Sequence, residues 1–393
     1  MALTGRFVWS ILLCKFSDHP EEPESPEFFE DFLFARSQGS IADYWSAMSY
    51  GALDMGNAQL WGWLDLGMAA DADFMKKSRW DKTQACIDAA TRALGFGEAS
   101  RMLDCDGFIC VTNAGAGDSG RTGNRVLLDS SNWRHTYAAH ETGHVFGFDH
   151  SFDNRESAWD SSNDGRDGAY GNSRDIMSAE AFGGLPAVFD SRFGAAGPGM
   201  HATNRATQGW LVAERITHLD ATSGLAWNAQ MEVSAIDNLA VRGNPLVRIA
   251  SQARYRDAVL PPVVYSVEFR PQVGWDAGIP ADAVIIHSTV DKDSPRVTWA
   301  GNDSQDWHAG DRFCDVLSHL VIDIVDIAPD RQSASIAIAT GPGVGLPNMS
   351  VRKTLSHRYD LGQGLGKVRS PLWATSIGSL RERLLAHPPQ FAG

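Results

Sequence analysis

The sequence contains little cysteine, little positive charge and no long apolar run. Among its 393 residues there are only five cysteines, an odd number that leaves at least one without a disulfide partner. Lysine and arginine number 34 against 48 acidic residues, and the net charge of −14 argues against nucleic acids and anionic membranes as partners. The absence of a run of about 18 apolar residues predicts no membrane insertion.

Two local features in the N-terminal half of the sequence concern disulfide bonds and a signal peptide. Cys105 and Cys110 are separated by four intervening residues and could form a bridge if the chain turns sharply between them. The apolar run at residues 7–14 is followed by Lys15 and acidic sequence, and it lacks a small-residue cleavage site. We therefore interpret it as a buried strand and not as a signal peptide.

What the sequence does contain is a metal-binding pattern, HETGHVFGFDH, which begins at His140. On a helix, His140 and His144 lie one turn apart on the same face, where two imidazoles can bind one Zn²⁺. Gly147 permits the positive φ that ends the helix and brings His150 back as the third ligand. Three protein ligands leave the fourth position open, as in catalytic zinc sites. Glu141 lies beside the metal, where it can exchange a proton with a water.

A second stretch, YGNSRDIMS, contains Met177 and resembles the Met-turn of the metzincin metalloproteases. In that family a methionine lies beneath the zinc-binding histidines, and its soft, apolar thioether does not compete for the metal. The sequence of this stretch is most similar to that of the gametolysin-like and immune inhibitor A-like peptidases. DYWSAMSYGALDM and VEFRPQVGWDAGIPADAVIIH also resemble that group. The resemblance implies a secreted zinc peptidase in which Met177 supports the metal site.

The segment between the third histidine and the methionine is rich in Asp, Asn, Ser and Gly. Carboxylates are hard oxygen ligands, so a Ca²⁺ site is one interpretation and a solvated loop is the other. The candidate calcium ligands are Asp153, Asp160, Asp164 and Asp167. Asp153 also follows His150 by three residues, and some related motifs use an aspartate as the third zinc ligand. His150 lies at the position that the motif gives to its third histidine, so we assign His150, and not Asp153, as the third zinc ligand.

Periodicity and turn residues predict the elements around the motif. Strands are predicted over residues 7–16, 58–66, 108–112 and 125–128, and helices over residues 26–37, 41–48 and 80–94. Ser25 and Ser40 are predicted caps of the first two helices. Asn132 is predicted to cap the zinc helix, over residues 133–146. The resemblance implies that residues 125–128 form the edge strand along which metzincins align substrate.

After residue 212, short alternating runs replace helical periodicity, and strands are predicted over residues 263–270, 283–290, 320–327 and 335–339. The expected fold class is α+β, followed by an all-β part. By resemblance, residues 1–212 form a metzincin-like catalytic domain with a mixed sheet and a zinc helix. Residues 213–342 are predicted to form a β-sandwich-like accessory domain. Residues 343–393 are a C-terminal extension with a short helix.

These features predict a zinc-dependent endopeptidase that hydrolyses peptide bonds, with Glu141 as general base and then general acid. Two alternatives stay open. A zinc-containing binding or adhesion module with little proteolysis is suggested by the long β region and by 13 tryptophans. A zinc amidase acting on non-protein amides would use the same residues. The expected cofactor is Zn²⁺, with Ca²⁺ as a further candidate, and the expected partners are protein or peptide substrates. No sequence pattern indicates an oligomeric state.

Overall fold

The computed structural model has an α+β architecture. It describes residues 3–341 except 38, 155–165, 167, 179–185, 253, 256–257, 292 and 301–303. The predicted C-terminal helix and three of the predicted calcium ligands, Asp160, Asp164 and Asp167, therefore lie outside the described residues. Among the described helices, none combines the length and the apolar character needed to cross a membrane.

The helices of the described chain are α1 Pro26–Leu33, α2 Ile41–Met48, α3 Ala72–Met75, α4 Arg79–Ala93, α5 Phe96–Leu103, α6 His135–Val145 and α7 Ala202–Thr207. The strands of the first part are β1 Gly5–Arg6, β2 Trp9–Lys15, β3 Leu53–Asp54, β4 Gln59–Asp65, β5 Gly107–Thr112, β6 Gly120–Thr122, β7 Arg125–Leu128, β8 Phe152–Asp153, β9 Val188–Asp190 and β10 Gly194–Ala196. The later strands are β11 Ile216–Ala221, β12 Trp227–Ser234, β13 Leu246–Ser251, β14 Arg254–Tyr255, β15 Ala258–Val259, β16 Val263–Arg270, β17 Ala283–Val290, β18 Arg296–Val297, β19 Arg312–Asp315, β20 Leu320–Ile327 and β21 Ser333–Thr340.

Contacts divide the chain into two compact units. Unit 1 comprises Met1–Asp149, Ala187–Met200 and Thr207–Leu211, and unit 2 comprises His150–Pro186, His201–Ala206 and Val212–Gly393. Unit 2 thus includes two segments that precede residue 213, where the sequence predicts the β domain to begin. The predicted domain boundaries stay a prediction.

Unit 1 is built on a five-stranded sheet in the order β4, β2, β5, β7, β6. All neighbours run parallel except β6, which is antiparallel to β7. The predicted buried strand near the N-terminus is confirmed as β2, which pairs with a parallel strand on each side. The expectation that residues 125–128 form the edge is wrong, because the short strand Gly120–Thr122 folds back on them and becomes the edge itself. A strand of three residues that begins with a glycine is too short to show an alternating pattern in the sequence.

Capping explains where the first helices begin. Ser25 accepts a hydrogen bond from the Phe28 N–H at the start of α1, and Ser40 forms a full capping box with Asp43 at the start of α2, so both predicted caps are confirmed. Helix α1 ends at Leu33, four residues earlier than predicted, because the chain leaves the helical conformation at the next residue.

The two faces of the unit 1 sheet carry different layers. Cys14 and Cys110 on one face share an apolar core with Cys86 of α4. All five cysteines of the chain are free thiols, so the bridge between Cys105 and Cys110 that the sequence left open does not form. On the other face, the ring of Trp9 lies 6.0 Å from the ring of Phe146, directly after α6. This second face therefore supports the helix that carries the histidine motif.

Unit 2 contains two sheets that share one apolar core. The six-stranded sheet has the order β11, β13, β16, β17, β18, β8, and the four-stranded sheet has the order β12, β21, β20, β19. Val247, Val267 and Ile286 of the larger sheet lie in one cluster with Ile322 and Ile336 of the smaller sheet. The alternating residues predicted this arrangement, since one face of each strand is apolar.

The opposite face of the six-stranded sheet is polar and carries a buried ion network. Arg270 donates to Asp276 through Nε at 2.8 Å and through Nη2, and it pairs with Glu268 at 3.2 Å. All three side chains are nearly inaccessible to water. Neighbouring carboxylates hold the pKa of Arg270 above its usual range despite the opposing effect of burial.

Replacing Arg270 by methionine is expected to lower the free energy of unfolding by about 3–5 kcal/mol, because two buried carboxylates lose their counter-ion. The matched control is Arg312→Met. Arg312 also forms two hydrogen bonds to one aspartate, Asp323, but the side chains of this pair are a third to a half exposed. That control should cost no more than about 1 kcal/mol. Urea denaturation measures both, and equal losses would contradict the assignment of the buried network as the stabilising one.

Candidate metal centre

Helix α6 presents the first half of the histidine motif. It begins at His135, with Arg134 at the N-cap and no side-chain cap, so the predicted capping by Asn132 is wrong. The reason is that Asn132 donates its side-chain amide to Ser119 at 2.8 Å, while the His135 N–H donates to the Phe193 carbonyl at 2.9 Å. Burial lowers the pKa of His135 to about 4, so this histidine is neutral at pH 7.

A tryptophan on α2 fixes the buried side of α6. The Trp45 indole N–H donates to Thr142 Oγ1 at 2.8 Å, and that hydroxyl donates to the Ala138 carbonyl at 2.7 Å. The same indole stacks on Phe148, with ring centroids 5.8 Å apart and planes 4° apart. One side chain therefore holds both the helix and the turn that follows it.

The rings of His140 and His144 point at a common position. Their Nε2 atoms are 3.0 Å apart, close to the separation of about 3.3 Å that two metal–nitrogen bonds at a tetrahedral angle would give. His144 Nδ1 lies 2.8 Å from the Phe148 carbonyl oxygen, which can only accept, so Nδ1 carries the proton. The Nε2 lone pair is then available to a metal, and the carbonyl fixes the orientation of the ring.

The turn after α6 brings the third histidine to the same place. Gly147 adopts a φ of +88°, as the sequence predicts, and the N–H of Phe148 returns to the Gly143 carbonyl. One ring nitrogen from each of His140, His144 and His150 lies within 4.8 Å of the others. Within the described parts of the chain, this is the one group of three or more His, Cys, Asp or Glu side chains with such spacing. It can hold a metal ion.

Tyr170 is a site residue that the sequence analysis did not single out. Its ring lies against that of His150, with centroids 3.8 Å apart and planes at 37°. The tyrosine has a φ of +62°, a conformation that is uncommon outside glycine and marks a constrained turn. The stacking restricts the orientation of the His150 ring. The signal in the sequence was the tyrosine that opens the Met-turn-like stretch.

The Met-turn-like segment is tied to the third histidine through a buried aspartate. Met177 is completely buried, and its carbonyl accepts the N–H of Ser151, the residue after His150, at 3.1 Å. Asp175 accepts from Ser151 Oγ at 2.8 Å and from the Met177 N–H at 2.8 Å through one oxygen, and from the His201 N–H at 2.7 Å through the other. Asp175 is therefore a positioning residue for the chain on both sides of the segment.

Glu141 lies under the edge strand of the five-stranded sheet. Its Oε2 accepts the N–H of Arg121 at 2.7 Å, and its side chain is 8% exposed. The carbonyl of Arg121 in turn accepts from Arg79 at 3.4 Å. Burial, and then the nearby Glu141 carboxylate, raise the pKa of Tyr137, one turn earlier on α6. The carboxylate is thus held in a fixed position among polar groups that all belong to unit 1.

Asp153 is the one predicted calcium ligand within the described residues. It lies in β8, its N–H donates to the Gly168 carbonyl, and its own carbonyl accepts from Arg296 at 3.1 Å. Its side chain packs so closely on Gly171 that a Cβ there would be 2.5 Å from the Asp153 carboxyl carbon. Asp153 is not part of the histidine group, which agrees with assigning the third position to His150. The calcium site stays a prediction.

No protein-family model and no curated protein matches this chain. Among solved structures it is similar to wild-type OgpA from Akkermansia muciniphila, with 11% sequence identity and a TM-score of 0.33. That similarity covers 86% of this chain and 94% of the other. A similarity this distant supports no argument about fold or activity.

Asp175→Asn is expected to weaken metal binding about tenfold or more, the usual effect of losing a partner that orients a ligand. The substitution replaces one carboxylate oxygen of Asp175 by an NH2 group. In place of the oxygen that accepts the His201 N–H, this group cannot accept a hydrogen bond, and the hydrogen bonds from Ser151 and Met177 shift as the side chain moves. Competition with a chromophoric chelator measures the affinity. Asp330→Asn, at an exposed turn, is the control and should bind metal as the unaltered protein does. Unchanged affinity in Asp175→Asn would refute the positioning role.

Gly120→Ala is expected to disturb the position of Glu141. The glycine has a φ of +117°, and a Cβ would lie 3.0 Å from Arg79 Nη1 and 3.2 Å from Glu141 Cδ. Strain in this backbone region typically costs about 1–3 kcal/mol. Gly115→Ala in the preceding loop is the matched control, since its Cβ would meet nothing within 4 Å. Thermal denaturation should separate the two, and equal midpoints would contradict the close packing at Gly120.

Proposed function

We propose that this protein is a zinc-dependent endopeptidase of the metzincin type. The observation that carries the proposal is the group of three histidines with a fixed glutamate directly after the first of them. The fourth position of a metal held by three protein ligands is open to water or substrate, whereas structural zinc sites usually have four protein ligands. The sequence resemblance at the Met-turn-like stretch supports the same proposal.

Zinc suits the donor set. Three neutral imidazoles without a carboxylate or thiolate are typical of catalytic zinc, whereas calcium and magnesium prefer oxygen ligands. The proton on His144 Nδ1 is held by a backbone carbonyl, as is usual for metal-binding histidines. When bound, Zn²⁺ would lower the pKa of a water and polarise the carbonyl of the scissile bond.

Glu141 is the residue that moves the proton. Its carboxylate accepts a proton from the attacking water and then delivers it to the nitrogen of the leaving amine, so the carboxylate ends the cycle as it began. The Arg121 N–H holds this carboxylate in place, which reduces the reorganisation needed during the reaction. Because the side chain is almost fully buried, few waters compete for it.

The edge strand β6 is the candidate surface for an extended peptide. A peptide can add to an exposed sheet edge through main-chain hydrogen bonds. Both main-chain groups of Arg121 on this edge are already bonded, the N–H to Glu141 and the carbonyl to Arg79. A substrate strand therefore either replaces these bonds or pairs with the flanking residues.

The protein as purified, without chelator, should contain one zinc per chain by elemental analysis. His144→Ala should lose both metal and peptidase activity, because it removes one of three ligands. Glu141→Gln should keep zinc and fold but lose about 10²–10⁴-fold in turnover, because the amide cannot accept the proton from water. Glu98→Gln, an exposed glutamate on α5, is the control and should behave as the unaltered protein.

The two site variants also separate the alternatives. Near-normal cleavage by zinc-loaded Glu141→Gln would show that this helix is not the catalytic one. Zinc binding without cleavage of a peptide library by the unaltered protein would favour the binding module. Cleavage confined to non-peptide amides would favour the amidase.

A further inference from the structure

The polar face of the six-stranded sheet in unit 2 contains a cavity of about 550 Å³. Adjacent strands contribute residues in register, His218 of β11, Arg248 of β13 and Ser266 of β16, so their side chains lie side by side. Asp220 and Thr289 extend the polar lining one step along the sheet. The volume is in the range of small-molecule sites.

Arg248 is the unusual residue in this lining. Its side chain is partly buried, yet the guanidinium makes no hydrogen bond or ion pair with any residue in the described part of the chain. Burial lowers the pKa of its guanidinium, and no carboxylate opposes that effect. By contrast, Arg270 on the same face is buried against Asp276 and Glu268. Arg270 is therefore paired, whereas Arg248 has no side-chain partner among the residues that the structure describes.

An unpaired, partly desolvated cation is costly, and proteins usually pair such groups or expose them. The carboxylate of Asp220 also lines the cavity, but its Oδ1 accepts from the N–H and the hydroxyl of Thr222, which lower the pKa of Asp220. It does not pair with Arg248. The guanidinium is therefore placed to receive an anion from outside the chain.

The other residues that line the cavity indicate which class of anion it would bind. A guanidinium binds a planar carboxylate through two parallel hydrogen bonds. A dianionic phosphate would be repelled by Asp220, whereas a monoanion with hydroxyl or amino donors could use Asp220 as an acceptor. Ser266 and Thr289 supply hydroxyls that both donate and accept. Ala250 and Val264 add aliphatic surface for the body of the ligand.

We propose that this cavity is a binding site for a small hydroxylated monocarboxylate, such as a sugar acid, with the carboxylate held by Arg248. The site belongs wholly to unit 2 and shares no residue with the histidine group. It goes beyond the proposed peptidase activity and does not depend on it.

Isothermal titration calorimetry with D-glucuronate tests the assignment on the full-length protein. D-Glucose is the matched neutral probe, since it differs at the carboxylate, and inorganic phosphate is the competing anion. We expect glucuronate to bind with a Kd in the millimolar range or tighter, glucose not to bind, and phosphate to bind more weakly than glucuronate. Arg248→Gln should abolish the glucuronate signal, while Arg242→Gln, at an exposed arginine outside the cavity, should retain it.

Thermal denaturation without ligand adds a readout that distinguishes a binding arginine from a structural one. Removing an unpaired charge should leave the midpoint of Arg248→Gln equal to or above that of the unaltered protein, whereas loss of a structural contact would lower it. Five results would overturn the proposal: no glucuronate binding even at concentrations far above millimolar, equal binding of glucose, tighter binding of phosphate, glucuronate binding retained by Arg248→Gln, or a lower midpoint for Arg248→Gln than for the unaltered protein.

Discussion

The histidine group that could hold a metal ion depends on one short turn, from Gly143 to His150. The Phe148 N–H returns to the Gly143 carbonyl and the Phe148 carbonyl accepts from His144 Nδ1, so one residue closes the helix and orients a ring. Gly147 makes this geometry accessible with a φ of +88°. Trp45 stacks on the ring of Phe148 and thereby connects the turn to the core beneath α6. If this turn were lost, the three imidazoles would not converge.

Two buried charged side chains of unit 2, Asp175 and Arg270, have several hydrogen-bond partners each. Asp175 accepts hydrogen bonds from Ser151, Met177 and His201, which offset the cost of burying the carboxylate and connect three segments of the chain. Arg270 donates to the carboxylates of Asp276 and Glu268 on the polar face of the six-stranded sheet. Such networks specify one arrangement, because any shift leaves a charged or polar group unpaired.

Arg248 is the exception on the same face, and the contrast explains why burial and pairing have to be considered together. Arg270 and Arg248 both lie in strands with an apolar core on the reverse face, and both are desolvated. Of these two arginines, only Arg270 is paired with carboxylates of the described residues. An aliphatic residue at this position would stabilise the fold more than an unpaired arginine does, and this supports the proposed binding role of Arg248. The two proposed sites are chemically independent and use different elements.

The sequence by itself determined the local features: the buried strand β2, the capped helices α1 and α2, the helix α4, the alternating strands of unit 2 and the turn at Gly147. Each follows from periodicity or from a residue with a strong backbone preference. The spacing of His140, His144 and His150 likewise predicted that these side chains meet. Only the tertiary structure decided the edge strand at residues 120–122, the helix start at His135, the stacking of Tyr170 on His150, the Asp175 network and the unpaired state of Arg248. These depend on groups that are far apart in the chain, and which partner a polar side chain finds is settled by packing and not by its neighbours in sequence.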